Sequence, residues 1–250
     1  YMKQIYISCL FSSILILYYQ TLSAQQSTIA ENTSKNEISN PAYDFTTSLY
    51  QDSIVVGPLI YRGDEYKYYN FRIEGHQFFY ADEAFIGNVF FDGFLYKNVQ
   101  LLYDIYLKQL VIEHDNLAYS ISIENKLVDY FDLFGHHFVR LKEDSNRVIS
   151  DGFYDLLVDG DVKFYVKREK SLQKTLENQR VIQWFELETR YYAYKDGGYH
   201  KVKKKGSILK LLQDQKKTLK TYLKKQKIYF GKDPENGLTE TIKYYNTIKL

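Results

Sequence analysis

The dipeptide Asp92-Gly93 narrows what this chain can become more than any other pair of residues. Asp-Gly accepts positive φ and closes hairpins whose twist matches that of paired strands. It lies between two runs dense in large apolar residues, Phe85-Ile86-Gly87-Asn88-Val89-Phe90-Phe91 and Phe94-Leu95-Tyr96-Lys97-Asn98-Val99-Gln100-Leu101-Leu102-Tyr103. Two antiparallel strands and their turn are expected, within a β meander that reaches Leu141. Leu110-Val111-Ile112-Glu113 continues it, Tyr119, Ile121 and Ile123 alternate onto one face, and Lys126 to Leu141 is broken by Gly135. Further hairpins are expected where Phe153 to Val158 and Val162 to Lys167 flank Asp159-Gly160-Asp161. Another is expected where Trp184 to Tyr194 and Tyr199 to Lys203 flank Lys195-Asp196-Gly197-Gly198. Between these hairpins Lys170 to Gln179 is polar and reads as a loop or a short helix. Ahead of the meander, Glu65 to Ile73 reads as a strand or a short helix. Arg62-Gly63-Asp64 reads as a Gly turn with charged shoulders, in preference to an integrin-binding tripeptide.

The period then changes from two to three and four. Ser207 is a plausible N-cap, and Ile208, Leu211, Leu212, Leu219, Tyr222 and Leu223 recur at helical spacing, so Ser207 to Lys227 reads as one amphipathic helix. Gly231 and Pro234 end it. Gly237 to Thr247, with Leu238, Ile242 and Tyr245 on one side, reads as a last short helix. The expected class is mainly β (α+β). Residues 54–205 form an antiparallel meander, sandwich or open barrel-like body, and residues 206–250 form a C-terminal amphipathic helical segment packed on it.

The chain starts with a different pattern. Met2-Lys3-Gln4 gives a short positive start, Ile5 to Tyr19 is apolar, and Leu22-Ser23-Ala24 offers small residues for cleavage. Residues 1–24 read as a secretory signal peptide, since an apolar run of about fifteen residues falls short of the roughly 20 that span a bilayer. Residues 25–53, rich in Ser, Thr, Asn and Gln, read as a flexible polar leader. Asn32-Thr33-Ser34 fits the glycosylation sequon, but a three-residue match in a polar segment is weak evidence and would mean nothing were the chain bacterial. Cys9, the only cysteine, falls inside the signal, too early in the apolar run for lipidation. The exported chain would have no thiol, which excludes disulfides, cysteine-ligated zinc, iron–sulfur clusters and cysteine nucleophiles. The expected address is periplasmic or extracellular, with outer-membrane association left open and no transmembrane span after cleavage.

Charge is the strongest anomaly. Lys195 to Lys232 contains thirteen Lys and two Asp, whereas Gln25 to Tyr194 holds 17 Lys and Arg against 26 Asp and Glu, so the net charge of +2 hides two opposite halves. Lys203, Lys204, Lys210, Lys216, Lys217, Lys220 and Lys224 are the candidate contacts to an anionic surface such as lipid headgroups or lipopolysaccharide phosphates. The plainer reading, which the sequence favours, is that this helix lies on the acidic β body or is a solvated face. Nucleic acid is not an expected partner, because the helix is all Lys and its aromatics, Tyr222 and Tyr229, come near its end.

Other chemistry is sparse. His136 and His137 would point to opposite faces of a strand and so cannot share a metal unless Gly135 makes a turn there. His76, His114 and His200 stand alone, and no metal site is expected. No nucleophile elbow, Walker loop or dinucleotide fingerprint occurs, so no cofactor is expected. Asp92, Asp104, Glu113, Asp129 and Asp132 offer carboxylates, but nothing in the sequence selects a catalytic pair among them. Aromatic residues make up 17% of the chain, with 26 Tyr. That content suits half-buried strands first and a sugar- or lipid-facing platform second. An outer-membrane barrel fits less well, because the chain closes on a charged helical tail and its loops do not separate ten-residue alternating segments.

The pattern as a whole resembles uncharacterised exported proteins of Bacteroidota. The likeness rests on Leu22-Ser23-Ala24-Gln25, Gly75-His76-Gln77-Phe78-Phe79, the run from Asp92-Gly93 through Tyr96, Asn98-Val99 and Leu101-Leu102-Tyr103-Asp104, and the Lys-rich tail. That group has no established activity, so the resemblance implies an envelope address and nothing about substrate. The functional expectation is an exported, envelope-associated β protein acting as a non-enzymatic binding or interaction module for an unknown ligand or envelope partner. The alternatives are a hydrolase of envelope polymers or glycans, and a peripheral binder of anionic membrane surface through the Lys-rich helix.

Overall fold

A computed structural model of the chain describes residues 57–69, 73–113 and 119–248. The expected signal peptide, leader, sequon, Cys9 and His114 lie outside the described residues. A short helix α1 (Gly57–Ile60) precedes eleven strands, β1 (Gly63–Glu65), β2 (Phe85–Phe91), β3 (Phe94–Asp104), β4 (Gln109–Glu113), β5 (Ile121–Ile123), β6 (Val128–Leu133), β7 (His136–Leu141), β8 (Gly152–Val158), β9 (Lys163–Glu177), β10 (Arg180–Lys195) and β11 (Gly198–Val202). Helices α2 (Lys205–Leu211), α3 (Lys216–Lys225) and α4 (Pro234–Ile248) follow. The strands form one antiparallel sheet in the order β1-β5-β4-β3-β2-β6-β7-β8-β9-β10-β11. This is the mainly β class that the turn signals imply.

Three of the hairpin turns share one backbone solution. Asp92 and Gly93 have φ of 49° and 81°, Phe134 and Gly135 53° and 76°, and Asp196 and Gly197 51° and 80°. Two consecutive left-handed residues are the requirement of a type I′ hairpin, which is why Gly stands second in each. A fourth such turn, Asn178 and Gln179 at 48° and 65°, overturns the expected loop or short helix from Lys170 to Gln179. Strand β9 runs unbroken to Glu177 and pairs with β10 from Lys163↔Tyr194 to Glu177↔Arg180. The far part of this ribbon buries little of its surface, so its sequence lacks the alternation that marks a half-buried strand.

Arg62-Gly63-Asp64 is also not a turn. Gly63 opens edge strand β1 and pairs with Ile123 of β5. A Cβ there would lie inside van der Waals contact of the Ser122 carbonyl oxygen, so close backbone approach selects Gly. Gly87 stands at the bulge between β2 and β3, where a Cβ would overlap the Asp132 carbonyl oxygen and the Leu101 side chain. Gly87→Ala is therefore expected to destabilise the fold by about 1–3 kcal/mol, read as a lower urea midpoint at unchanged slope.

The sheet curls. The Lys170 N–H of β9 donates to the Ile105 carbonyl just beyond β3 at 3.0 Å, although β2, β6, β7 and β8 separate the two strands in the sheet. Residues 73–79 fill the seam. Phe79 N–H donates to Tyr103 O at 2.8 Å on one side, and Glu74 N–H donates to Gln183 O at 2.9 Å on the other. Aromatic rings pack the inside of the curl. Tyr103 lies 5.2 Å from both Phe131 and Phe138, and Phe131 stacks on Phe138 at 4.8 Å, all four-fifths or more buried.

Phe138 faces Asp155 across β7 and β8, and Asp155 faces Val166 across β8 and β9, so all three share the inner face. Farther along that face Phe164, Val166, Ala193 and Val202 meet Ile208, Leu212, Leu219, Leu238, Ile242 and Tyr245 of the helical segment. The helices thus continue the core begun inside the curl. The single helix expected from Ser207 to Lys227 is two. A 3-10 turn at Gln213–Gln215 separates α2 from α3, in the stretch between Leu212 and Leu219 where no apolar residue falls at 215 or 216 to hold a continuous helix down. Ser207 lies inside α2, its Oγ accepting from Lys203 N–H at 2.9 Å and Lys204 N–H at 3.1 Å. Pro234 opens α4, with Asp233 Oδ1 accepting from Asn236 N–H at 2.9 Å. Among the described residues no helix is long and apolar enough to cross a membrane, which says nothing of strands.

Candidate functional site

The helical segment commits one face to the sheet and leaves the other to charge. In α3, Leu219 and Leu223 are buried, and Lys216, Lys217, Lys220 and Lys224 are exposed. Residues four apart share a helix face, so Lys216, Lys220 and Lys224 form one stripe with Lys217 beside it. Lys210 lies in the last turn of α2, and Lys203 and Lys204 lie in the link from β11, all exposed. The structure therefore brings four of the seven candidates onto one helix and sets the other three on or before its neighbour. Among the described residues, none of the lysines from Lys201 to Lys227 forms an ion pair; on either side Lys195 pairs with Asp196 and Lys243 with Glu240. The contacts between helices and sheet are mainly apolar, with an ion pair from Arg168 of β9 to Glu235 of α4, and the acidic half of the chain does not neutralise the lysine face by contact. Lys217 and Lys225 flank a shallow groove walled by Tyr222 and Tyr244, whose rings stack at 3.8 Å.

The histidines behave as strand geometry dictates. His136 and His137 of β7 lie on opposite faces, His136 Nδ1 at 2.7 Å from Asp155 Oδ2 and His137 Nδ1 at 2.7 Å from Asp132 Oδ1. His76 is pushed below its ordinary pKa by burial and by the Lys170 charge, and His200 is exposed. No cluster of three or more potential metal ligands occurs among the described residues.

The carboxylates named from sequence are separately occupied. Asp92 sits in its turn, Asp129 is exposed, and Glu113 accepts from Tyr68 OH at 2.8 Å. Asp104 is buried, which raises its pKa against the hydrogen bonds from Tyr66 OH at 2.6 Å and from Leu107 and Tyr106 N–H. Its role is to close the turn between β3 and β4.

Sequence reasoning missed two charge constellations. In the first, Arg168 of β9 donates to Asp155 of β8 and, at 2.6 Å, to Glu235 at the start of α4. Asp155 is fully buried, and burial raises the Glu235 carboxyl above its usual range despite the Arg168 charge. In the second, Glu169 receives Lys108 at 2.8 Å, Arg190 at 2.7 Å and Lys167 at 3.6 Å. Burial opposes its charge, but the Lys108 hydrogen bond and the three cations prevail and hold its pKa below the ordinary value. A carboxyl depressed in the folded state contributes stability that is complete above the unfolded pKa, near 4.5, and is lost as pH falls through the folded value. Glu169→Gln is expected to flatten the acid limb of stability below that pH, measured as urea midpoints from about pH 3 to 6. The mixed signs of neighbouring β9 residues, Lys167-Arg168-Glu169-Lys170, were the available signal. Strand alternation sends Arg168 inward and Glu169 to the other face.

Comparison of the chain with protein-family models, with curated proteins and with solved structures returns no match. Function therefore rests on the site itself.

Proposed function

We propose that the chain is an exported, non-enzymatic interaction module of the cell envelope that docks on an anionic surface through the lysine face of its C-terminal helices. The chemistry recognised is the phosphate of lipid headgroups or of lipopolysaccharide. The observation that carries this is the exposed stripe Lys216, Lys220 and Lys224, with Lys217 at its side, held on a helix whose apolar face is already buried and free of ion pairs among the described residues. Like charges four residues apart disfavour a helix by a few tenths of a kcal/mol per pair, so the stripe weakens the isolated fold and contributes only when a counter-charge arrives. Export rests on the apolar run Ile5 to Tyr19 and the small residues at Leu22-Ser23-Ala24. No observation favours the hydrolase reading, because the carboxylates named from sequence are dispersed: Asp92 and Asp104 close turns, Asp132 meets His137, Glu113 meets Tyr68, and Asp129 is exposed. Co-sedimentation with phosphatidylglycerol vesicles and with neutral phosphatidylcholine vesicles tests the proposal. Binding to the anionic vesicles alone is expected, and equal partition to both would refute it.

A further inference from the structure

Five separate segments, none of them carrying a lysine-stripe residue, meet around a cleft of about 280 Å³. Its charged lining is Lys108, Lys126, Arg140 and Lys167 against Asp151 and Glu169. Its floor is the pair Tyr103 and Phe153, rings edge to face at 5.8 Å, at the end of the aromatic core. We infer that this cleft binds a small organic acid of single-sugar size, its carboxylate on Arg140 and its apolar face over Tyr103 and Phe153.

Arg140 decides the class. Its side chain is 19% exposed, yet its contacts are long: Nη1 to the Lys126 carbonyl at 3.4 Å and Nη2 to Asp151 at 3.5 Å. A guanidinium carries five donors in a planar fork that matches a carboxylate with two parallel hydrogen bonds, so most of its capacity is unspent. The other cations are engaged. Lys167 donates to Ser150 Oγ at 2.6 Å, Lys108 pairs with Glu169 at 2.8 Å, and Lys126 pairs with Glu124 at 2.5 Å. Glu169 is saturated by its own three cations, which leaves a net positive lining beside an underused arginine. Asp151, exposed at the rim, opposes a second ligand charge, which favours a monoanion over a phosphate dianion. The volume lies just under the range typical of drug-sized ligands, and the lining sets two aromatic side chains among six charged ones, so charge fixes the ligand's orientation and the rings take its apolar face.

The inference does not depend on the lysine face, and the titration is chosen so that its outcome is separate from that of vesicle binding. Glucuronate is the probe, with glucose as its neutral counterpart and inorganic phosphate as the dianion, followed by calorimetry and by amide NMR shifts on the full exported chain. Saturable glucuronate binding with a dissociation constant of about 1 mM or below is expected, with shifts at Arg140, Gly152 and Phe153 and no binding of glucose. Arg140→Gln should weaken glucuronate at least about tenfold. Lys126→Glu, at an exposed rim position that cannot disturb the core, should weaken it several-fold. Lys216→Gln, Lys217→Gln, Lys220→Gln and Lys224→Gln together should leave it unchanged. Glucose binding as tightly as glucuronate, phosphate binding more tightly, or full affinity in both Arg140→Gln and Lys126→Glu would each overturn the assignment.

Discussion

Replacing Lys216, Lys217, Lys220 and Lys224 together by Gln is expected to lower the affinity for phosphatidylglycerol vesicles about a thousandfold. Each Lys held near an anionic bilayer contributes on the order of 1 kcal/mol, and four contribute about 4, which is close to three decades in the dissociation constant. The fold should hardly notice. The four side chains are exposed and free of ion pairs among the described residues, while Leu219 and Leu223, which anchor α3, are untouched. Removing like charges at four-residue spacing relieves a small repulsion, so thermal stability should stay level or rise slightly. Salt gives an independent reading. The screening length falls from about 10 Å at 0.1 M to about 3 Å at 1 M, so the wild-type chain should leave the vesicles over that range, and the quadruple variant should show almost no salt response. A variant with the four lysines changed to Arg should keep most of the affinity, because the field is what the membrane reads. Unchanged binding of the Gln variant in low salt would remove the lysine face from the function.

Much of this architecture could be read from the sequence because it is written locally. Asp92-Gly93 and Asp196-Gly197 carry their turn type in two residues, and Leu238, Ile242 and Tyr245 carry the buried face of α4 in their spacing; all three are fully buried. The lysine face was legible for the same reason, since exposed charge needs no partner to define it. What stayed hidden depends on contacts between distant residues. The β9–β10 ribbon turns at Asn178-Gln179 without Gly and is stabilised by pairing along its length, so no short window of sequence reveals it. Gly63 looked like a turn because the backbone of Ser122, nearly sixty positions later, is what excludes a side chain there. Arg140 and Arg168 are ordinary strand residues until strand pairing sets one against Phe153 and the other beside Asp155, and α4 brings Glu235 to the second.

Arg168→Met is expected to destabilise the protein by about 3–5 kcal/mol, the largest loss among the substitutions considered. Met keeps most of the length and apolar stem of Arg and removes only the charged fork, so the cost is electrostatic. Asp155 has no solvent exposure and its Oδ1 has no hydrogen-bond partner among the described residues, so Oδ2, shared by Arg168 and His136, carries the whole burden of its charge. Taking away the arginine leaves a buried carboxylate with the imidazole alone. For a chain of this size each kcal/mol shifts the melting temperature by roughly 2–4 °C, so a drop on the order of 10 °C is the readout. A double-mutant cycle separates charge from shape. Asp155→Asn in the Arg168→Met background should cost far less than in the wild type, because the carboxylate it removes is no longer compensated. Glu235→Gln should be the mildest of the three, since Glu235 is partly exposed and burial already disfavours its charge. Because Glu235 stands in the first turn of α4, the same loss should loosen the helical cap from the sheet and weaken vesicle binding with every lysine still in place. If Arg168→Met lost less than about 1 kcal/mol and the cycle were additive, Asp155 would have to be held by His136 alone, and the helices by their apolar face alone.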